Sequence, residues 1–227
     1  MNRTMQPISG GAEGAYGADS GRRRRERIPG EHGLTPETAP CPATGKALFG
    51  NDRPLELEIG SGKGTFLLAE SGARPDVNFV GIEYARRYWI FAADRLRRAE
   101  RKNARVVLAE ASAFVRDFIG NETLSAIHVY FPDPWPKTRH HRRRLLQTAF
   151  VEELASKLKP GARLSVATDH REYFVAIVAS VKRSPLVEVD FAATKAALES
   201  ELVGTNFERK YRREGRNIYM LAAEKPS

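Results

Sequence analysis

From Pro54 onward, short apolar strand-like runs alternate with helical segments, and no other feature of the sequence limits the possible folds as much. The alternation predicts strands over residues 55–59, 78–83, 106–110, 125–131, 163–168, 186–191 and 217–223. It predicts helices over 65–72, 85–102, 112–119, 142–159 and 171–183, the fourth ended by Pro160-Gly161. This order is typical of a mostly parallel sheet with helices on both faces. We therefore expect a seven-stranded α/β fold whose ligands bind beyond the carboxyl ends of the strands.

Residues 1–50 differ from the rest of the chain. They are rich in Gly, Pro, Ala and Arg, have little apolar periodicity, and contain the run Arg22-Arg23-Arg24-Arg25-Glu26-Arg27. We interpret them as a flexible basic tail that touches nucleic acid, the alternative being a solvated linker without a role. Residues 51–227 are then the folded domain.

The charge of the chain favours a polyanionic partner. The formal net charge is +9, and residues 51–227 alone carry 30 basic and 23 acidic side chains. Basic proteins gain affinity for nucleic acid by releasing counterions, although charge that only keeps the protein soluble is an alternative. The single cysteine, Cys41, excludes an intrachain disulfide, and no apolar run approaches the ~20 residues of a membrane helix. We therefore expect a cytoplasmic protein without a membrane contact.

The first predicted strand runs into a turn with glycine at alternate positions, Glu58-Ile59-Gly60-Ser61-Gly62-Lys63-Gly64. Glycine permits positive φ and a close approach of ligand to backbone, which indicates a binding site at Gly60 and Gly62. The turn differs from the dinucleotide fingerprint, which would place its third glycine where Thr65 stands. The carboxylate of Glu58 suits a cofactor that carries an ammonium group.

Two further acids follow the next two predicted strands. Glu83 is placed to accept both hydroxyls of a ribose. Glu110 is placed to accept a hydrogen bond from an adenine amino group, with the backbone of Ala111 beside the ring. Any one acid at a strand end is also explained as a solvated side chain. Three in succession favour S-adenosylmethionine over a nicotinamide dinucleotide and over a fold without a cofactor.

The fourth predicted strand ends in a loop stiffened by three prolines, Tyr130-Phe131-Pro132-Asp133-Pro134-Trp135-Pro136-Lys137. Asp133 is expected beside the cofactor, the alternative being that it is only part of a rigid turn. A basic run, residues 137–144, follows at once. An aromatic and a carboxylate followed by cations indicate contact with a nucleobase and its phosphates. The adjacent His140 and His141 have no nearby ligands of metal-binding type, so we expect no metal.

These segments resemble the bacterial tRNA (guanine-N7)-methyltransferase family, TrmB. The similarity runs in order from Leu55 to Leu221 and is carried by the segments Glu58-Ile59-Gly60, Phe131-Pro132-Asp133-Pro134-Trp135-Pro136-Lys137, Arg139-His140-His141, Thr168-Asp169 and Thr205-Asn206-Phe207-Glu208. The resemblance implies a Rossmann-like class I methyltransferase fold. It also implies transfer of a methyl group from S-adenosylmethionine to N7 of the guanosine at position 46, in the variable loop of tRNA.

The resemblance also implies the site residues. The cofactor would contact Glu58, Gly60, Gly62, Glu83, Glu110, Ala111 and Asp133. The substrate would contact Lys137, Arg139, Asp169, Thr205, Asn206, Phe207 and Glu208. Glu110 departs from the family, many members of which carry Asp or Asn there. Asp169 has an alternative role as the N-cap of the following helix.

Guanine N7 has an in-plane lone pair and no proton, so its methylation needs no general base. Asp133 is therefore expected to orient the reactants and to favour the cationic purine product. Other readings are a tRNA-binding protein without catalysis, a methyltransferase for amino groups of adenine or cytosine, and a small-molecule methyltransferase. The Asp-Pro-Trp spacing disfavours the second, and the basic domain disfavours the third. Monomer and homodimer are both compatible with the sequence.

Overall fold

A computed structural model describes residues 26–198 and 201–227, in which eight strands form one twisted sheet. The strands are β1 Gly33–Leu34, β2 Leu55–Ile59, β3 Asn78–Glu83, β4 Ala104–Leu108, β5 Leu124–Tyr130, β6 Leu158–Thr168, β7 Val187–Val189 and β8 Tyr219–Glu224. Their order across the sheet is β1-β4-β3-β2-β5-β6-β8-β7. The pairs from β1 to β6 are parallel, and β8 runs antiparallel to both β6 and β7. This is the mostly parallel sheet that the sequence predicts.

Within residues 26–198 and 201–227, seven α-helices lie between or beside the strands. They are α1 Gly45–Phe49, α2 Thr65–Ala73, α3 Arg86–Arg98, α4 Ala111–Phe118, α5 Thr148–Lys157, α6 Arg171–Val181 and α7 Asn206–Arg213. Two short 3-10 helices cover Gly30–His32 and Thr138–Arg143. Among the residues that the structure describes, no helix is long and apolar enough to cross a membrane.

The central strands are buried on both faces. The polar side chains of Glu56 on β2 and His128 on β5 are buried with them and form a hydrogen bond to each other at 3.1 Å. Successive side chains of a strand point to opposite faces. On β5, Ile127 and Val129 accordingly belong to one apolar core with α4, α5 and α6, while Tyr130 packs with Phe66 and Trp89 of α2 and α3 in a second. The two cores fix the sheet between its helices. They leave the carboxyl ends of β2 to β6 as one continuous edge.

The predicted boundary at residue 51 is corrected for the described part of the tail. Gly33 and Leu34 form β1, which pairs with Val106 and Val107 of β4 at the edge of the sheet. A Cβ added to Gly33 would lie 2.9 Å from the ring of Trp89, so this segment packs tightly on α3. The packed region therefore begins before β1, and the sheet has eight strands where seven were predicted. The arginine run at residues 22–25 lies outside the described residues.

The predicted helix over 142–159 is also corrected. The helix α5 begins at Thr148 and ends at Lys157, and the basic residues before it form the 3-10 helix and an extended Arg144. A helix through the basic run would set like charges three and four residues apart, where they repel. Pro160 and Gly161 lie within β6, where the ladder with β5 shifts register and Gly161 has φ +73°.

Candidate active site

Glu58 is a buried acid near the carboxyl end of β2, in the middle of the sheet. It is 5% exposed, and its Oε2 has no hydrogen-bond partner among the described residues. Burial, together with the charge of Glu83, raises the pKa of Glu58 to about 8 against the opposing effect of the Ser61 hydroxyl. An acid oxygen that is buried without a partner is costly. An ammonium group placed against it would remove that cost, so Glu58 fits the role that the sequence predicts for it.

The turn after β2 contains three glycines with positive φ: Gly60 at +82°, Gly62 at +53° and Gly64 at +65°. A Cβ on Gly60 or Gly62 would meet no atom within 4 Å, so the space beside these two residues is open. A Cβ on Gly64 would lie 2.7 Å from Cβ of Ala92, which belongs to α3. The first two glycines therefore border a space that a ligand can enter, and the third lets α3 pack against the turn.

Glu83 ends β3 and is held by two backbone groups. Its Oε2 accepts a hydrogen bond from the N–H of Gly62 at 2.7 Å, and its Oε1 accepts one from the N–H of Ala85 at 2.8 Å. Each carboxylate oxygen has a second lone pair. The side chain is thus fixed beside the glycine turn with acceptor capacity left for two ribose hydroxyls.

Glu110 is the N-cap of α4, a role that the sequence analysis missed. Its side chain accepts hydrogen bonds from the backbone N–H groups of Ser112 at 3.0 Å and Ala113 at 2.8 Å. Although partial burial opposes them, these bonds lower the pKa of Glu110. Capping explains an acid at this position without any cofactor. Ala111, the first residue of α4, is half-buried beside it.

The loop after β5 carries Asp133 at the edge where the strands end. Asp133 is exposed. On either side of it, Phe131 and Trp135 have φ values of +54° and +44°, which non-glycine residues rarely adopt. Strain of this kind persists only where surrounding contacts impose it, and it is concentrated at functional sites. The loop is therefore a rigid support for the Asp133 carboxylate.

The basic run lies on the surface next to this loop. Lys137, Arg139, Arg142 and Arg143 are exposed. None of the four has an acidic partner among the ion pairs that the described residues form. The guanidinium of Arg143 lies 5.0 Å from the centre of the Trp135 ring, a cation–π contact. Four exposed cations without an acidic partner among the described residues, one of them stacked on an aromatic ring, are the arrangement expected of a phosphate-binding surface.

Asp169 directly follows β6. Its Oδ2 accepts a hydrogen bond from Arg216 at 2.8 Å. The N-cap of α6 is His170, whose Nδ1 accepts from the N–H of Tyr173 at 3.2 Å. The alternative role of Asp169 as the cap of this helix is therefore wrong.

In the segment that leads into α7, some side chains are buried and shape the loop, and others are exposed. Thr205 caps the helix by accepting from the N–H of Glu208 at 3.1 Å. Glu208 is 0% exposed and accepts from the N–H groups of residues 202, 203 and 204 and from Arg212. The buried side chains of Thr205 and Glu208 therefore shape the loop and begin the helix, and their contact with the substrate stays a prediction.

Asn206 and Phe207 point outward from the same turn. The amide of Asn206 donates to Oγ1 of Thr65 at 2.8 Å, which joins α7 to the helix that follows the glycine turn. Phe207 is 49% exposed. These two residues, unlike their neighbours, remain available to a ligand.

An aromatic cluster, Phe131, Phe207 and Tyr211, lies between α7 and the Asp133 loop. The ring centre of Phe131 lies 6.1 Å from the ring centre of Phe207 and 5.4 Å from that of Tyr211. The guanidinium of Arg216 lies 4.6 Å from the ring of Tyr211. Burial raises the pKa of Tyr211, and the charges of Asp169 and, more weakly, Asp133 add to that effect while Arg216 opposes it. Tyr211 and Arg216 were not predicted, although the spacing of Phe207 and Tyr211 places them on one helix face.

The described residues contain no group of three or more His, Cys, Asp or Glu side chains arranged to hold a metal ion. The site is therefore a turn of glycines and acids on one side and a loop with exposed cations and aromatics on the other. Both lie at the carboxyl ends of the parallel strands, where ligands bind in folds of this class.

Comparison with solved structures supports the fold. A methyltransferase from Aquifex aeolicus, described as dependent on S-adenosylmethionine, superposes with a TM-score of 0.53 over 76% of this chain and 82% of its own. The two sequences are 14% identical, so the likeness concerns the Rossmann-like methyltransferase architecture alone.

Comparison of sequences identifies the family. A family model described as "Putative methyltransferase" matches residues 52–221. A tRNA (guanine-N(7)-)-methyltransferase of Rhodopirellula baltica is 40% identical over 202 residues, which are 85% of this chain and 74% of that protein. One of Bordetella pertussis is 43% identical over 149 residues, which are 66% of this chain and 59%, less than two thirds, of that protein. The chain belongs to the tRNA (guanine-N(7)-)-methyltransferase family.

Proposed function

We propose that this protein transfers the methyl group of S-adenosylmethionine to N7 of a guanosine in tRNA. The observation that carries the proposal is the position of the Asp133 loop. It places a carboxylate at the edge of the sheet where the glycine turn ends, beside four unpaired cations. The relatives named above bear this activity in their names.

The glycine turn and its acids fit the cofactor. Bound S-adenosylmethionine supplies an electrophilic methyl group on a sulfonium. Glu58 would pair with the ammonium of the methionine moiety, because its buried Oε2 has no partner within the described part of the chain. Gly60 and Gly62 border an open space that would take that moiety. Glu83 accepts the ribose hydroxyls with the lone pairs that its two backbone bonds leave free.

The adenine end of the cofactor falls to the start of α4. Both carboxylate oxygens of Glu110 are engaged in capping the helix. The backbone of Ala111, which is not tied to a side chain in this way, is then the better-placed contact for the ring. Glu110 contributes mainly by holding the first turn of the helix in place.

Asp133 orients the guanine and the methyl donor for in-line transfer. The nucleophile N7 has no proton to lose, so the carboxylate accepts hydrogen bonds from the reactants and stabilises the positive charge that the purine acquires. The exposed edge of the aromatic cluster offers Phe207 as a surface on which a base can stack. Asp169, bonded to Arg216, and Asn206, bonded to Thr65, are proposed to contact the nucleotide.

The basic run binds the tRNA backbone. Phosphate contacts by Lys137, Arg139, Arg142 and Arg143 position the RNA without selecting its sequence. The choice of the guanosine at position 46 in the variable loop, which the family resemblance implies, depends on the path of the RNA over this surface. The protein is proposed to act in the cytoplasm, where tRNA is found.

Incubation of the purified protein with labelled S-adenosylmethionine and unmodified tRNA tests the proposal. Nucleoside analysis is expected to find 7-methylguanosine as the labelled product. A matched tRNA with 7-deazaguanosine at position 46 is expected to bind and to remain unlabelled. Label in an adenosine or cytidine would point to an amino-methyltransferase. Cofactor binding without any label in RNA would point to a binding protein without catalysis.

A further inference from the structure

Arg144, the last residue of the basic run, is buried where its neighbours are exposed. Its side chain is 6% accessible, whereas those of Arg142 and Arg143 lie on the surface. A guanidinium is costly to bury unless its donors are bonded. Its partners therefore indicate what the residue does.

Three groups hold the Arg144 side chain. Its Nε donates to the carbonyl oxygen of Pro134 at 2.9 Å, and Nη2 donates to Oε1 of Glu172 at 3.0 Å. The guanidinium lies 5.0 Å from the ring centre of Tyr173. Tyr173 is itself 0% exposed, and its hydroxyl accepts from the N–H of Leu146 at 3.0 Å. The planar guanidinium thus connects the start of α6 to the peptide between Pro134 and Trp135, one residue after Asp133.

We propose that Arg144 is a positioning residue, which holds the Pro134 carbonyl and thereby sets the Asp133 carboxylate for methyl transfer, and that it does not bind RNA. The proposal rests on the proposed function for the reaction that it serves. The loop needs an external donor because Pro132, Pro134 and Pro136 have no backbone N–H with which to brace it. The positive φ values of Phe131 and Trp135 also have to be imposed from outside.

Glu172 has a subordinate part in this arrangement. It is half-exposed, and the hydrogen bond from Arg144 is the main cause that lowers its pKa. Because it lies in the first turn of α6, it fixes the direction of the guanidinium relative to that helix. Removal of Glu172 alone should therefore have a smaller effect than removal of Arg144, since the bond to Pro134 remains.

The test compares Arg144→Met with Arg144→Lys, which keeps the charge but loses the planar pair of donors. Single-turnover methyl transfer at saturating tRNA and cofactor is expected to fall by about 10- to 10²-fold in Arg144→Met, the size of effect that a small misplacement causes. The salt dependence of tRNA binding should stay as in wild type. Arg144→Lys should show a smaller loss in the same direction.

A spectroscopic measurement follows the loop without reference to activity. The chain has two tryptophans, so Trp89→Phe leaves Trp135 as the only one. In that background, Arg144→Met is expected to raise the quenching of Trp135 by acrylamide, because the loop is released. Glu172→Gln added to Arg144→Met should change neither the rate nor the quenching further.

Two controls separate position from charge. Arg142→Met should weaken tRNA binding and reduce the salt slope by about one unit, a signature that Arg144→Met should lack. Arg163→Met removes an arginine in the middle of β6 that is paired with Glu224 at 2.9 Å, and it should leave the transfer rate and Trp135 unchanged.

Two outcomes would overturn the proposal. One is a wild-type rate in Arg144→Met at saturation, and the other is a reduced salt slope with unchanged quenching, which would make Arg144 an RNA contact. If Arg144→Met does not fold, unchanged quenching and rate in Arg144→Lys would overturn it equally. If Arg144→Met raises the acrylamide quenching of Trp135 but the wild-type protein labels no tRNA, the proposed function is rejected. The role of Arg144 in holding the loop then stands.

Discussion

The backbone N–H of Gly62 donates a 2.7 Å hydrogen bond to Oε2 of Glu83, which joins the turn after β2 to the acid at the end of β3. The two halves of the proposed cofactor site are therefore one unit before any ligand arrives. Gly62 makes this bond from a positive φ of +53°, a conformation that side-chain-bearing residues rarely adopt. A change at this glycine should thus reach the ribose contact as well as the turn.

Gly62→Ala should weaken S-adenosylmethionine binding more than it destabilises the fold. The added Cβ meets no protein atom, so the cost to folding is the strain of a positive φ, about 1–2 kcal/mol. Gly161→Ala is a matched control, since Gly161 has φ +73°, open space around it and no place in the site. Calorimetry should show equal decreases in the melting temperature of the two variants. It should show a loss of cofactor affinity in Gly62→Ala only. Equal cofactor affinities in the two variants would show that the cofactor does not bind beside Gly62.

The stability of the ligand-free protein should depend on pH through Glu58. Its pKa in the folded protein, about 8, lies above the ordinary value of 4.5. The folded state therefore holds a proton that the unfolded state releases, and the stability this gives is complete below pH 4.5 and lost as the pH rises through 8. Melting curves between pH 5 and 8.5 should show a decline that Glu58→Gln removes. A variant with the wild-type slope would show that another group is responsible.

Cofactor binding should release a proton from the same residue. An ammonium against Glu58 favours the carboxylate, so an acid that is mostly protonated at pH 7 ionises when the ligand binds. Titration calorimetry in buffers of different ionisation enthalpy measures this release directly. Most of one proton is expected for wild type, and Glu58→Gln should release less. The same release from both proteins would mean that the ammonium lies elsewhere.

The acids at the strand ends could be located from sequence, because each is the next polar residue after a buried strand and parallel strands share one edge. The same reasoning placed Asp133. It could not reveal the capping of α4 by Glu110 or the burial of Glu208, since an acid facing a ligand and an acid facing backbone N–H groups have the same sequence signature. The burial of Arg144 could not be predicted for a similar reason. Its exposed neighbours are also arginines, and which of them is buried depends on tertiary contacts.

Glu208→Ala should destabilise the fold, with its effect on tRNA binding following from that. It removes an acid that holds three backbone N–H groups and Arg212 in a buried place, a loss of about 3–5 kcal/mol. Glu214→Ala, in the same segment, removes an exposed acid paired with Lys210 and Arg216 and should cost about 0–1 kcal/mol. Urea denaturation of both variants tests this. A stable Glu208→Ala protein with poor tRNA affinity would instead support the predicted contact of Glu208 with the substrate.

The basic run should act on tRNA affinity evenly. Replacement of Lys137, Arg139 or Arg143 by glutamine is expected to weaken binding of all tRNAs alike and to reduce the salt slope by about one unit each. Replacement of Arg143 should also alter the fluorescence of Trp135, because it removes the cation–π contact between the two side chains. Arg98→Gln, on the far helix α3 and paired with Asp94, is the control and should leave the slope unchanged. Unchanged salt slopes in all three variants would show that the tRNA phosphates do not bind at this surface.

Asp133→Asn distinguishes two roles for the central carboxylate. A general base would be lost with the charge, but N7 gives up no proton in the transfer. An orienting and charge-stabilising group keeps its shape and one acceptor as Asn and loses the field that favours the cationic purine. We expect single-turnover transfer at saturating tRNA and cofactor to fall by on the order of 10²-fold or more, the usual size for one preorganised electrostatic contact.

The affinities should change less than this rate, because the interaction strengthens mainly in the transition state. Cofactor titration of Asp133→Asn is therefore expected to give a dissociation constant near that of wild type. The tRNA with 7-deazaguanosine at the target position provides the ground-state comparison, since it lacks the nucleophilic nitrogen and should bind both proteins alike. A wild-type transfer rate in Asp133→Asn would instead assign the carboxylate to the turn, whose strained neighbours Phe131 and Trp135 would then serve the RNA surface alone.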